Sequence, residues 1–187
     1  MQLAKLLVIM GASFTISSCG QSLGNYEVEA VTLTGEAPMP EGGRAPSYGR
    51  YLKIELSSET SLTAISDQID GVYAHADFCP FSDPYFITTF GPFSSHDADL
   101  GVPSFAEPLV RGSDGKFHYN VYIVPNHPMP DIEYSRAASA RENYDLRSGS
   151  RDICLRFDAP GYDIIKSRSE TVRIPYKKIS EALSSDL

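Results

Sequence analysis

The 187-residue sequence has no tryptophan, only three cysteines, and no apolar run long enough to cross a bilayer. A spanning helix needs about 20 apolar residues. The longest apolar stretch, Leu6 to Ile16, is far shorter and contains Gly11, Ala12, Ser13 and Thr15. Basic residues are also scarce, with 16 Lys and Arg against 24 Asp and Glu and a formal net charge of −8. An acidic chain disfavours nucleic acid and the bare anionic membrane surface as partners. Catalytic signatures are missing as well. G-x-S-x-G, a phosphate-cradling glycine loop, H-E-x-x-H and C-x-x-C do not occur. These absences lower the odds of an enzyme and leave only sites assembled from scattered residues.

What is present favours strands. Eleven Tyr and nine Phe can fill a core without tryptophan, and 14 Gly and 13 Pro spread along the chain favour many turns over long helices. Tyr26 to Thr34 is rich in β-branched residues. Arg50 to Ser58 alternates, with Leu52, Ile54 and Leu56 on one face and Tyr51, Lys53 and Glu55 on the other. Period-two alternation predicts a sheet with one wet face. Val72 to Cys79 and Tyr85 to Phe90 read as further strands, and Leu62 to Ile65 as a short strand or a turn of helix. Lys116 to Val124 is the strongest strand, entered from the turn signal Asp114-Gly115. Arg151 to Phe157 alternates again, setting Ile153, Leu155 and Phe157 against Cys154, Arg156 and Asp158. "IIKS" and "TVRIPY" predict a last hairpin, and Ile179 to Leu183 a closing helix. The best helical stretch elsewhere is "SRAASAREN" within Asp131 to Tyr144.

Eight or nine short strands separated by turns predict an all-β fold, an antiparallel β-sandwich with one or two short helices. An immunoglobulin-like topology is one alternative. Against it stand the missing tryptophan and Asp152, where that family places its corner tyrosine.

The first eighteen residues are set aside from the fold as a cleaved signal peptide. Lys5 is their only charge, the apolar core is of signal-peptide length, and Asn25, Glu27 and Glu29 soon follow. At the end of the run, Ile16-Ser17-Ser18-Cys19 resembles the lipobox of bacterial lipoproteins: an aliphatic residue, two small residues, then cysteine. The resemblance covers residues 1–21 alone. It implies a diacylglyceryl group on the Cys19 sulfur, cleavage before Cys19, and acylation of the new amino terminus. Small Ser17 and Ser18 would give the peptidase access to the backbone. Gly20, where an aspartate would favour inner-membrane retention, implies the outer membrane in a host with two membranes. Domain organisation then follows as residues 1–18 signal, 19–25 a short polar tether, and 26–187 one sandwich domain.

Outside the cytoplasm the remaining cysteines, Cys79 and Cys154, are expected to pair. A bridge between them would contribute about 4 kcal/mol on the chain-entropy account. Cleavage at Cys19 removes only Lys5 from the charge count. The remaining charge is uneven, because 19–135 holds 5 basic and 16 acidic residues and 136–187 holds 10 and 8.

Candidates for chemistry are few. Ser113-Asp114-Gly115-Lys116 fits the S-x-x-K pattern of penicillin-recognising enzymes, but that chemistry needs a helical turn and Asp-Gly predicts a hairpin turn instead. His75 and Asp77 share a strand face and form a weak metal-site candidate, with His96, Asp97, Asp99 and His118 as further ligands. Asp97 to Gly101 hints at a calcium loop, although its glycine falls at the fifth position rather than the sixth. Loops 36–49, 91–108 and 125–150 carry Tyr, Phe, Met and Pro suited to contact surfaces. The leading expectation is a non-catalytic envelope lipoprotein, held at the membrane by its lipid and binding an envelope protein partner or serving a structural role. It requires no cofactor. The alternative is a metal- or calcium-dependent enzyme or binding module using His75, Asp77 and residues 96–99.

Overall fold

The computed structural model describes residues 22–38, 49–66, 71–81, 87–94, 110–127, 144–159 and 167–185. They form a two-sheet β-sandwich. In chain order its elements are β1 (Glu27–Thr34), β2 (Tyr51–Ser58), α1 (Leu62–Ser66), β3 (Tyr73–Phe78), β4 (Thr89–Ser94), β5 (Phe117–Ile123), β6 (Asn126–His127), β7 (Tyr144–Asp145), β8 (Ile153–Ala159), β9 (Ser167–Arg168), β10 (Val172–Ile174) and α2 (Tyr176–Ser184). The larger sheet has the order β1-β2-β5-β4, and the smaller β10-β8-β3 with β9 also on β8; every pairing is antiparallel. β6 and β7 make a separate small ribbon.

Alternation decides which side chains enter the core. Leu52, Ile54 and Leu56 from β2 meet Tyr119, Val121 and Ile123 from β5, opposite Ile153, Leu155 and Phe157 from β8; all are essentially inaccessible. Each such side chain contributes about 1.5–3 kcal/mol of transfer free energy. The outer face of the larger sheet is less wet than alternation implies. Tyr51, Phe93, Tyr122 and Val124 are buried there as a second apolar cluster, with edge-on ring contacts of Tyr122 to Phe93 at 5.6 Å and to Tyr51 at 6.5 Å.

Two strands depart from the sequence expectation. The fourth runs from Thr89 to Ser94, through the Gly91-Pro92 that was expected to start a loop. A register shift between Phe90 and Phe93 absorbs the proline, and β4 is the last strand of its sheet, where a missing N–H is tolerated. The expected final hairpin is instead one interrupted edge. β9 and β10 both pair with β8, at Asp158–Ala159 and at Ile153–Leu155 respectively. Between them Ser169 exchanges bonds with Phe157: its N–H donates to the Phe157 carbonyl, and its Oγ accepts from the Phe157 N–H, both at 2.9 Å. Leu62–Ser66 is helical, and the closing helix is longer than expected, with Ile179 and Ala182 buried against the core. "SRAASAREN" lies outside the described residues; Tyr144, at the end of that segment, is in β7.

Cys79 and Cys154 form a disulfide with Cα atoms 5.1 Å apart. It ties the end of β3 to its neighbour β8, where Asp77 faces Cys154 and the Cys79 N–H donates to the Asp152 carbonyl at 3.0 Å. The bridge therefore lies within one sheet rather than between the two, a further departure from the immunoglobulin pattern. Asp152 has its own task. Its Oδ1 accepts the Tyr176 N–H at 2.7 Å and its Oδ2 pairs with Arg173. It thus caps α2 from outside, where Pro175 at the N-cap offers no side-chain acceptor. The backbone N–H of Tyr176 first, and Arg173 second, hold its carboxyl below the usual range.

The residues before β1 are part of the domain. Ser22 bridges to Arg168 in parallel, the Leu23 N–H donates to the Arg168 carbonyl at 2.9 Å, and the Glu170 N–H donates to the Gly24 carbonyl at 3.1 Å. The chain thereby covers the open edge of the smaller sheet before entering the larger one. Leu23 is fully buried. Gly24 has φ +87°, and a Cβ there would meet Thr60 Oγ1 at 2.1 Å, so only glycine fits. Of the stretch expected as a tether, 19–25, residues 22–25 are thus packed into the fold.

Candidate functional site

Sequence reasoning proposed His75 and Asp77 as a pair on one strand face. Both are on β3, between core-facing Ala74 and Ala76 and beyond, so their side chains lie on the outer side of the smaller sheet. β8 supplies Arg156 and Asp158 to the same face, because His75 stands opposite Arg156 and Tyr73 opposite Asp158. Asp158 is the centre of the group. Arg156 holds it with two bonds, Nε to Oδ1 at 3.0 Å and Nη2 to Oδ2 at 3.1 Å. Arg168 approaches Oδ1 at 3.5 Å, and His75 Nε2 lies 3.8 Å from Oδ2. The Arg156 guanidinium also sits over the Phe81 ring, 4.8 Å from its centre. Asp77 is buried, and its Oδ1 accepts the N–H of Phe78 at 2.7 Å. Asp158, forked by one arginine and approached by a second, is thus held in an ion-pair network.

The wider ligand set does not converge on these residues. His118 is on β5, next to core-facing Phe117 and Tyr119, and so projects from the outer face of the other sheet. There it pairs with Asp114 at 3.1 Å. The outer faces of a sandwich point in opposite directions, so His75 and His118 cannot share an ion. His96, Asp97 and Asp99 lie outside the described residues. Among the described residues no group of three His, Cys, Asp or Glu side chains is placed to hold a metal.

Ser113 to Lys116 forms a turn. The Gly112 N–H donates to the Lys116 carbonyl at 2.8 Å, the Lys116 N–H donates to Asp114 Oδ1 at 3.0 Å, and Gly115 has φ +79°. The Lys116 ammonium pairs with Glu27 instead of reaching Ser113. That contact raises the ammonium's pKa, while the Lys116 N–H and His118 lower that of Asp114.

A concave surface among the described residues lies elsewhere, at the end of the sandwich where the chain enters. A cleft of about 310 Å³ is bounded by Ser22, Asn25, Glu27, Ser58, Thr60 and Lys116, among others. Its walls are fixed by local bonds. Ser58 Oγ donates to the Asn25 carbonyl at 2.6 Å and accepts the Thr60 N–H at 3.0 Å. Beneath it two phenols fasten the entry segment and the turn after β2: Tyr26 donates to the Leu23 carbonyl, and Tyr119 to the Thr60 carbonyl, each at 2.6 Å. Tyr119 also accepts the Leu62 N–H at 3.0 Å. Burial raises both phenols well above the usual tyrosine range, with their mutual proximity adding to Tyr26. Among the described residues that line it, the cleft offers hydroxyls, carboxylates and one ammonium. It suits polar contact. Sequence reasoning missed this end of the molecule. The signal was Leu23, an apolar residue inside a stretch otherwise fit for a tether.

The fold and its surfaces define an all-β sandwich domain with one intra-sheet disulfide. No protein-family model, curated protein or solved structure matches the chain at a significant level.

Proposed function

We propose that this protein is a lipid-anchored lipoprotein of the bacterial cell envelope, favouring the outer membrane, whose sandwich acts as a non-catalytic binding or structural module. The observation that carries the reading is the order Ile16-Ser17-Ser18-Cys19 after a short apolar core. The cysteine arithmetic supports it. Cys79 and Cys154 satisfy each other, so Cys19 is the odd one of three and has a separate role. A disulfide also fits an oxidising compartment. Non-catalytic work fits Asp158, which Arg156 and Arg168 hold in an ion-pair network. Two or more acyl chains anchor a protein stably where one does not, since each buried methylene contributes about 0.8 kcal/mol. Metabolic labelling with a radioactive fatty acid tests the reading. Label should enter the wild-type protein and be lost in Cys19→Ala, which should also leave the membrane fraction. Equal labelling of both proteins, or none in either, would reject it.

A further inference from the structure

The lock on residues 22–26 has a consequence for where the domain sits. We infer that the end of the sandwich holding Ser22, Glu59, Thr60 and Lys116 rests directly on the phospholipid headgroups, and that the opposite end, at Thr34 and Tyr51, points away from the membrane. The inference rests on the lipid anchor at Cys19 proposed above.

Ser22 is already bonded to the smaller sheet, at Arg168, and Leu23 is buried without exposure. Three residue steps separate Cys19 from Ser22. Fully extended, they span about 10 Å. The polar layer of one leaflet is itself about 5–8 Å thick. A cysteine whose acyl chains lie in the hydrocarbon therefore leaves Ser22 at the headgroup boundary. The domain has no stalk on which to stand off.

Register fixes which end is near. Glu27 faces Ser57 at the start of the β1–β2 pair, and Thr34 faces Tyr51 at its other end. Six residue steps along β2, from Tyr51 to Ser57, at about 3.4 Å each put these ends about 20 Å apart. Asn25 is bonded to Ser58, Gly24 is packed on Thr60, and Lys116 is paired with Glu27, so all three belong to the near end. Its groups suit a zwitterionic surface. Ser22 and Glu59 are exposed beside the Lys116 ammonium, which gives hydroxyl, carboxylate and ammonium partners for headgroup phosphate and amine.

Site-specific photocrosslinking to lipid tests this. The full lipidated protein is placed in phosphatidylcholine vesicles with p-benzoylphenylalanine introduced at Glu59 or, separately, at Glu36; both positions are exposed. Lipid adducts should form at least 10-fold more at 59 than at 36. Inserting ten Gly/Ser residues between Gln21 and Ser22 should reduce the adducts at 59 several-fold. Equal yields at the two positions, or a yield at 59 that ignores the insertion, would overturn the seating. The intact mass of the same preparation separates the two ways of failing. An unlipidated Cys19 removes the anchor and the seating together, whereas a lipidated Cys19 with even yields removes the seating alone.

Discussion

Replacing Gly24 by alanine tests whether the entry segment is locked into the sandwich. Gly24 has φ +87°, and a Cβ built there meets Thr60 Oγ1 at 2.1 Å and Thr60 Cβ at 2.6 Å. Two costs combine. The left-handed backbone costs an L-residue about 1–2 kcal/mol. Forcing a methyl group against a packed neighbour costs about 1–3 kcal/mol more. The total, about 2–5 kcal/mol, would be a large share of the stability of a domain this size. Gly115 separates the two costs, because it has φ +79° and open space where its Cβ would stand. Gly115→Ala should therefore cost only about 1–2 kcal/mol. In a Thr60→Gly background, Gly24→Ala should fall to the same level. Urea unfolding of the chain from residue 20 onward, with its disulfide intact and followed by tyrosine fluorescence, measures all five proteins: the unsubstituted chain, the three single variants and the double variant. If Gly24→Ala costs no more than Gly115→Ala, Gly24 is not pressed on Thr60 and the lock is wrong.

Tyr26 and Tyr119 give a pH dependence of known sign. Burial raises both phenols in the folded protein above the ordinary value of 10.0. Their contribution is complete below the unfolded value and is lost as pH climbs from about 10 toward the folded values. Stability measured by urea unfolding should decline above about pH 10, and ionisation of these two phenols, read by ultraviolet absorbance, should coincide with unfolding. Two phenols that ionise in the folded state near pH 10 would contradict the burial. The disulfide closes a loop with a sequence separation of 75. Cys79→Ser with Cys154→Ser should cost about 4 kcal/mol in the same assay. A loss below about 1 kcal/mol would show that the reduced chain is restrained by other means.

The alternating strands were legible because one rule governs them. Leu52, Ile54 and Leu56, and again Ile153, Leu155 and Phe157, enter the core as period two requires. The pairing of Cys79 with Cys154 followed from compartment and number, and the structure places it between neighbouring strands. The last two strands were misread because Ser169-Glu170 resembles a turn in sequence, while Ser169 Oγ can stand in for a ladder acceptor and let the edge continue past it. β4 was misplaced because proline reads as a strand breaker, a rule that relaxes at a sheet edge. Outward-facing Tyr51 and Tyr122 are buried for a reason that alternation along one strand does not contain, since their neighbours come from β4 and from each other.

The candidate site was less legible than the fold. Spacing put His75 and Asp77 on one face but did not carry Arg156, Asp158 and Arg168, which arrive from β8 and β9. Nor does spacing distinguish the two outer faces, which is why His118 was grouped with His75. Asp152 was noted only for what it is not, a corner tyrosine. Its role at the start of α2 depends on a helix that begins twenty-four residues later in the chain. Leu23 is the instructive case. Its polar surroundings hide a fully buried side chain, and its burial shortens the reach of any anchor at Cys19.

The account depends most on Cys19. Mass spectrometry of the amino-terminal peptide, from protein extracted out of membranes, tests it directly. The account predicts a chain that begins at Cys19 and carries the diacylglyceryl group on sulfur, with or without a further acyl group on the amine. An unmodified terminus at any other residue would contradict it.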